Sequence, residues 1–64
     1  MDTNRLTGKH VMITGAARGM GAAIAEHYAA QGAKICVADV NLAGCQEVVA
    51  RIKASGGQAI AAKV

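Results

Sequence analysis

Apolar and polar positions along this chain fall into blocks that alternate between two periods. His10 to Thr14, HVMIT, is a short β-branch-rich apolar run that ends at Gly15 and predicts a buried strand. Met20 to Gln31 is alanine-rich with Gly32 just beyond it, which predicts a helix and its stop. Ala33 to Asp39 reads as a second strand, apolar from Ile35 through Ala38, and it ends abruptly in a carboxylate. Asn41 can cap a second helix, in which Leu42, Cys45, Val48, Val49 and Ile52 recur at the spacing of one face and Gly56-Gly57 ends the run. Gln58 to Val64 then predicts a third strand.

Strands joined by helices of this length pair in parallel through right-handed crossovers, so the expected class is α/β, part of a doubly wound parallel sheet. Two crossovers that advance in the same direction put both helices on one face and leave the other bare. Parallel sheets are normally covered on both faces, and HVMIT and KICVA are apolar enough to expect such cover. The chain therefore reads as an incomplete piece of a larger sheet. Its 64 residues are fewer than a typical domain holds.

Composition narrows the function classes. Seven basic against four acidic residues give a net charge of +3, but the basic positions are scattered, and Tyr28 is the one aromatic side chain. Neither a basic stripe nor a stacking platform is available, which points away from nucleic acid. Cys36 and Cys45 form no C-x-x-C pair, and Cys36 lies within an apolar run where a thiol packs as a small hydrophobe. A reducing compartment is expected. The first fifteen residues lack the uninterrupted apolar stretch of a signal peptide, and no run reaches membrane-spanning length. These features together read as a cytoplasmic protein.

The candidate chemistry lies in TGAARGMG, Thr14 to Gly21, where three glycines and two alanines stand between the first strand and the first helix. A helix start offers unpaired N–H groups and the positive end of the helix dipole to an anion, and side chains on the loop would hold that anion away. Gly15 allows the tight turn, Gly19 the close approach of a pyrophosphate, and Gly21 close packing of helix on strand. Asp39 ends the second strand eighteen residues after Gly21, where its carboxylate can accept hydrogen bonds from both hydroxyls of an adenosine ribose. Ala22 follows Gly21 where an ATPase-type loop requires lysine, which excludes that loop.

The spacing G-x-x-x-G-x-G in TGAARGMG resembles the T-G-x-x-x-G-x-G signature of the short-chain dehydrogenase/reductase family. LTGKHVMITG, AKICVADVN and GGQAIAAKV are similar to the opening segments of that family as well. The resemblance implies that residues 1–64 are an N-terminal fragment of a single dinucleotide-binding, Rossmann-type domain. It implies NAD(P)-dependent hydride transfer between a nicotinamide and an alcohol or carbonyl substrate, in a protein that is homo-oligomeric when full length. Under this resemblance Thr14 steadies the loop, and Gly15, Ala17, Gly19 and Gly21 belong to the stretch that wraps the pyrophosphate and adenosine ribose. Arg18 lies toward the adenosine, the backbone at Met20 approaches the nicotinamide, and Asp39 and Val40 take the ribose hydroxyls and the adenine. Asp39 favours NAD over NADP by repelling a ribose phosphate, whereas Arg18 pulls the other way.

The family's proton relay pairs a tyrosine with a lysine four positions on. Tyr28 is followed there by Gly32, so it cannot supply that pair and reads as a packing residue. No residue of this chain is assigned a catalytic role. His10 and His27 have no Cys or carboxylate at ligand spacing, and no metal site is expected. Three readings stay open: the cofactor part of an oxidoreductase, a non-catalytic dinucleotide-binding module, and an inactive truncated fragment.

Overall fold

The computed structural model describes residues 7–64. Its elements run β1 (His10–Thr14), α1 (Gly19–Ala30), β2 (Lys34–Asp39), α2 (Leu42–Ala54) and β3 (Gln58–Lys63). The order β-α-β-α-β is the expected one, with boundaries displaced by one residue at four places: α1 starts at Gly19 and stops at Ala30, β2 starts at Lys34, and β3 stops at Lys63. Gln31 is the C-cap of α1, and its N–H and that of Gly32 turn back to the carbonyls of Tyr28 and Ala29. Those bonds close the last turn before the apolar pattern runs out.

The three strands are parallel in the order β1-β2-β3. Their register sets two layers of side chains on the helix face: Val11, Ile35 and Ala59 in one row, and Ile13, Val37 and Ala61 in the next. Ile35 and Val37 are fully buried there, against Ala22, Ala25 and Ala29 of α1 and Cys45, Val48 and Ile52 of α2. Alanines on α1 bring its axis close to the sheet, and the larger side chains of α2 fill the space over β2 and β3. This is a partial Rossmann sheet with both helices on one side. On its other face Met12, Cys36 and Ile60 form a row across the strands, with Met12 64% and Ile60 66% exposed.

Two packing expectations change. Leu42 does not join the buried face of α2, while Gly44 does. At 100° per residue the centre of the buried set lies between Cys45 and Val48, and Leu42 stands roughly 100° away from it. Cys36 lies half-buried on the open face of β2, whereas Cys45 is the thiol inside the core, its Sγ directed at the Ala62 carbonyl. Burial, with the charge of Asp39 second, raises the Cys45 pKa and keeps it a neutral thiol.

Candidate dinucleotide-binding site

The site forms where β1 and β2 end and α1 begins. Two residues after Thr14 the chain is still bound to the sheet, through a 3.2 Å bond from the Ala16 N–H to the Ala38 carbonyl. Gly15 at φ +65° and Gly19 at φ +64° then turn the backbone through the left-handed region that side chains disfavour. A Cβ at Gly19 would meet nothing within 4 Å, so the space above this residue is open to a ligand. A Cβ at Gly21 would lie 2.5 Å from the Gly15 carbonyl oxygen and 3.0 Å from the Ala16 Cα. The close approach that needs Gly21 is thus to the loop's own backbone rather than to the strand, and it folds the loop back on the first turn of α1.

No side chain caps α1: its N-cap is Arg18, in an extended conformation, and the first turn carries no acidic residue. Its leading N–H groups have no partner within the helix and carry the positive end of the helix dipole. Arg18 and Met20 are exposed beside them, Met20 to 79%. Ala16 and Ala17 lie underneath as part of the hydrophobic core.

Asp39 reaches this loop from the end of β2, on the same face as Ile35 and Val37. Its Oδ2 accepts the Ala17 N–H at 3.2 Å and its Oδ1 accepts the Asn41 N–H at 3.1 Å. The N–H donors of Asn41 and Ala17, in that order, hold the carboxyl below its ordinary value of 3.8, against a smaller opposing effect of burial, and Arg18 adds a minor pull in the same direction. The Val40 N–H adds a weaker pull of the same sign, and a carboxylate, with about four lone-pair positions, still has acceptor capacity beyond these donors. Val40, beside it, is 70% exposed.

Gly15, Ala17, Arg18, Gly19, Met20, Gly21, Asp39 and Val40 therefore all stand where the C-terminal ends of β1 and β2 adjoin the start of α1. Within that group Ala17 differs from expectation in how it is used: its methyl is buried and its N–H is given to Asp39. Two residues outside the expected set complete the arrangement. Asn41 caps α2 by accepting the Gly44 N–H on its side chain at 3.1 Å, and the missing Cβ of Gly44 leaves room for Ala17, whose own Cβ would stand 2.9 Å away. The sequence signal was a capping asparagine three residues before a glycine on the inward face of a helix. Tyr28 lies half-buried near the other end of α1, about 13 Å along its axis from Gly19.

The short chain dehydrogenase family profile matches residues 9–64. The chain belongs to that family. A 2,5-dichloro-2,5-cyclohexadiene-1,4-diol dehydrogenase of Sphingobium indicum is 49% identical over 57 residues, covering 89% of this chain and 23% of the relative. Among solved structures, a 7α-hydroxysteroid dehydrogenase complexed with NADH and 7-oxo glycochenodeoxycholic acid is 44% identical, with a TM-score of 0.89 over 95% of this chain and 24% of that one. A metagenomic short-chain oxidoreductase in complex with NADP is 34% identical, with a TM-score of 0.91 over 92% of this chain and 27% of that one. This member of the short chain dehydrogenase family thus spans about a quarter of the length of the relatives it matches. Among the described residues no helix is long and apolar enough to cross a membrane.

Proposed function

We propose that residues 1–64 are the cofactor-holding part of one Rossmann-type domain in an oxidoreductase that moves a hydride between NAD and an alcohol or carbonyl carbon. The observation that carries this reading is the meeting of Asp39 with the glycine loop: an anion-accepting edge and a hydroxyl-accepting carboxylate stand side by side. A dinucleotide needs both, the first for its pyrophosphate and the second for its adenosine ribose. When bound, the nicotinamide would supply the hydride acceptor or donor. This chain's residues do the holding. Gly19 leaves the backbone bare for the pyrophosphate, the first turn of α1 offers its N–H groups, and the acceptor capacity left on Asp39 suits ribose hydroxyls. In this reading Val40 would lie beside the adenine, and the backbone at Met20 would approach the nicotinamide half. The intact enzyme is read as a cytoplasmic homo-oligomer, the unpaired Cys36 and Cys45 being at home in a reducing compartment.

Asp39 also supports NAD over NADP. Its carboxylate is fixed by two backbone donors and held charged, so a ribose phosphate would meet a negative group that cannot swing away. Arg18 is exposed on the loop and free to extend into water, which makes it the weaker influence. Steady-state kinetics of the intact protein with both cofactors test this. Catalytic efficiency should be higher with NAD, and Asp39→Ala should narrow the preference more than Arg18→Ala widens it. Higher efficiency with NADP in the unmutated protein would reverse the ranking of the two charges. Saturable dinucleotide binding with no turnover of any alcohol or ketone would favour the non-catalytic module instead.

A further inference from the structure

The hydrogen bonds of Asp39 do not stop at its own turn. From the loop, the Ala17 N–H donates to Oδ2, and from the start of α2 the Asn41 N–H donates to Oδ1. Asn41 in turn accepts the Gly44 N–H, and Gly44 presses against Ala17, with no side chain between them. Ala17, Asp39, Asn41 and Gly44 thus close a ring that joins the glycine loop, the end of β2 and the first turn of α2. Each bond is between groups far apart in sequence or across a turn, so none is supplied by helix or sheet pairing.

The geometry points to this ring as a clasp that holds the glycine loop in its ligand-ready shape before any cofactor arrives, with Asp39 and Gly44 as positioning residues for the loop. The clasp rests on the reading of the loop as a dinucleotide site, but its physical content stands in the cofactor-free protein. A loop turned through two left-handed glycines has many other conformations open to it. A fixed loop gains affinity because its ordering is not left to the moment of binding. Asp39 would then serve any dinucleotide in two opposed ways: it discriminates against a ribose phosphate, and it keeps the loop fit to hold the pyrophosphate of either cofactor.

The substitution that separates these roles is Gly44→Ala. Its methyl would lie 2.9 Å from the Ala17 Cβ and 2.8 Å from the Asn41 Nδ2, closer than such atoms approach, so Ala17 or the cap must move. Gly44 is buried under the loop, apart from the open space over Gly19, and lies outside the set of residues assigned to the cofactor. Two measurements on the intact protein test the clasp. The first is hydrogen exchange at the Ala17 amide without cofactor, which should speed up about tenfold or more in Asp39→Ala and in Gly44→Ala, the loss of one charge-assisted hydrogen bond. Asp39→Asn, which retains an oxygen acceptor, should recover part of the protection. The second is cofactor kinetics: Gly44→Ala should raise KM for NAD and for NADP by similar factors with kcat little changed, because the loop is disturbed while the ribose carboxylate is still present. Unchanged Ala17 exchange in both variants, in protein whose circular dichroism shows the native fold, would overturn the clasp. So would a Gly44→Ala variant whose KM rises for neither cofactor. Faster Ala17 exchange in a protein that binds no dinucleotide would retain the clasp and remove the cofactor reading alone.

Discussion

The Asp39 carboxylate accepts two backbone N–H groups that in the unfolded chain it must find in water, and its folded pKa lies below the ordinary carboxylate value. A group whose pKa is lowered by folding contributes stability at pH values above its unfolded pKa, and that contribution is lost as the pH falls through the folded one. Denaturant midpoints of the intact protein should therefore fall as the pH is lowered from about 5 through and below 3.8, and those of Asp39→Asn should fall less over the same interval. Parallel acid limbs in the two proteins would show that the carboxylate gains nothing from its donors. That Asp39 mattered was readable from its place after an apolar run. Its grip on Ala17 was not, because that bond joins residues 22 apart and depends on how far the loop folds back over the sheet. Gly44 was silent for a related reason: inside a helix a glycine reads as a weak helix former, and its use appears once Ala17 is seen against it.

At the scale of elements, α2 is the best specified. Its cap, apolar stripe and glycine stop all stand in the chain, and the structure uses each of them. Asn41→Ala removes the acceptor for the Gly44 N–H and should cost about 1 kcal/mol in denaturant unfolding, the usual value of an N-cap. A stability within experimental error of the unmutated protein would mean that water replaces the cap without loss. Leu42 was misread because its three-residue step to Cys45 fits the stripe locally, while the buried set as a whole is centred roughly 100° away from it. For α1 the inward face consists of alanines, so no large side chain marks it in sequence, and its boundaries follow from the loop glycines and Gly32 instead. The strands were legible as apolar runs. Which face each residue occupies was not, since all three are apolar or small on both sides, and only the helices decide the inside.

For the whole molecule, the sheet has one face packed by α1 and α2 and one that shows Met12, Cys36 and Ile60 to solvent. Such a face belongs under cover in a parallel sheet. Prepared alone, the 64-residue polypeptide should be marginally folded at most and should turn over no alcohol. A sharp thermal unfolding transition with dispersed amide signals would contradict the first expectation, and measured turnover the second. That two helices would share one side of the sheet followed from the order of elements and the handedness of crossovers. The meeting of the glycine loop with Asp39 and the start of α2 was not legible in the same way, because it joins residues of three elements at once.

The central claim is that the bare backbone at Gly19 is where a dinucleotide's pyrophosphate lies, and a titration of NADH into the intact protein and its Gly19→Val variant tests it most directly. Valine at φ +64° strains the backbone and fills the open space above the loop, so circular dichroism and unfolding should report a protein that is folded and modestly less stable. Binding to the unmutated protein should be saturable, and the variant should bind on the order of 100-fold more weakly or not measurably. Equal affinity in the two folded proteins would contradict the claim and leave TGAARGMG as a turn between a strand and a helix.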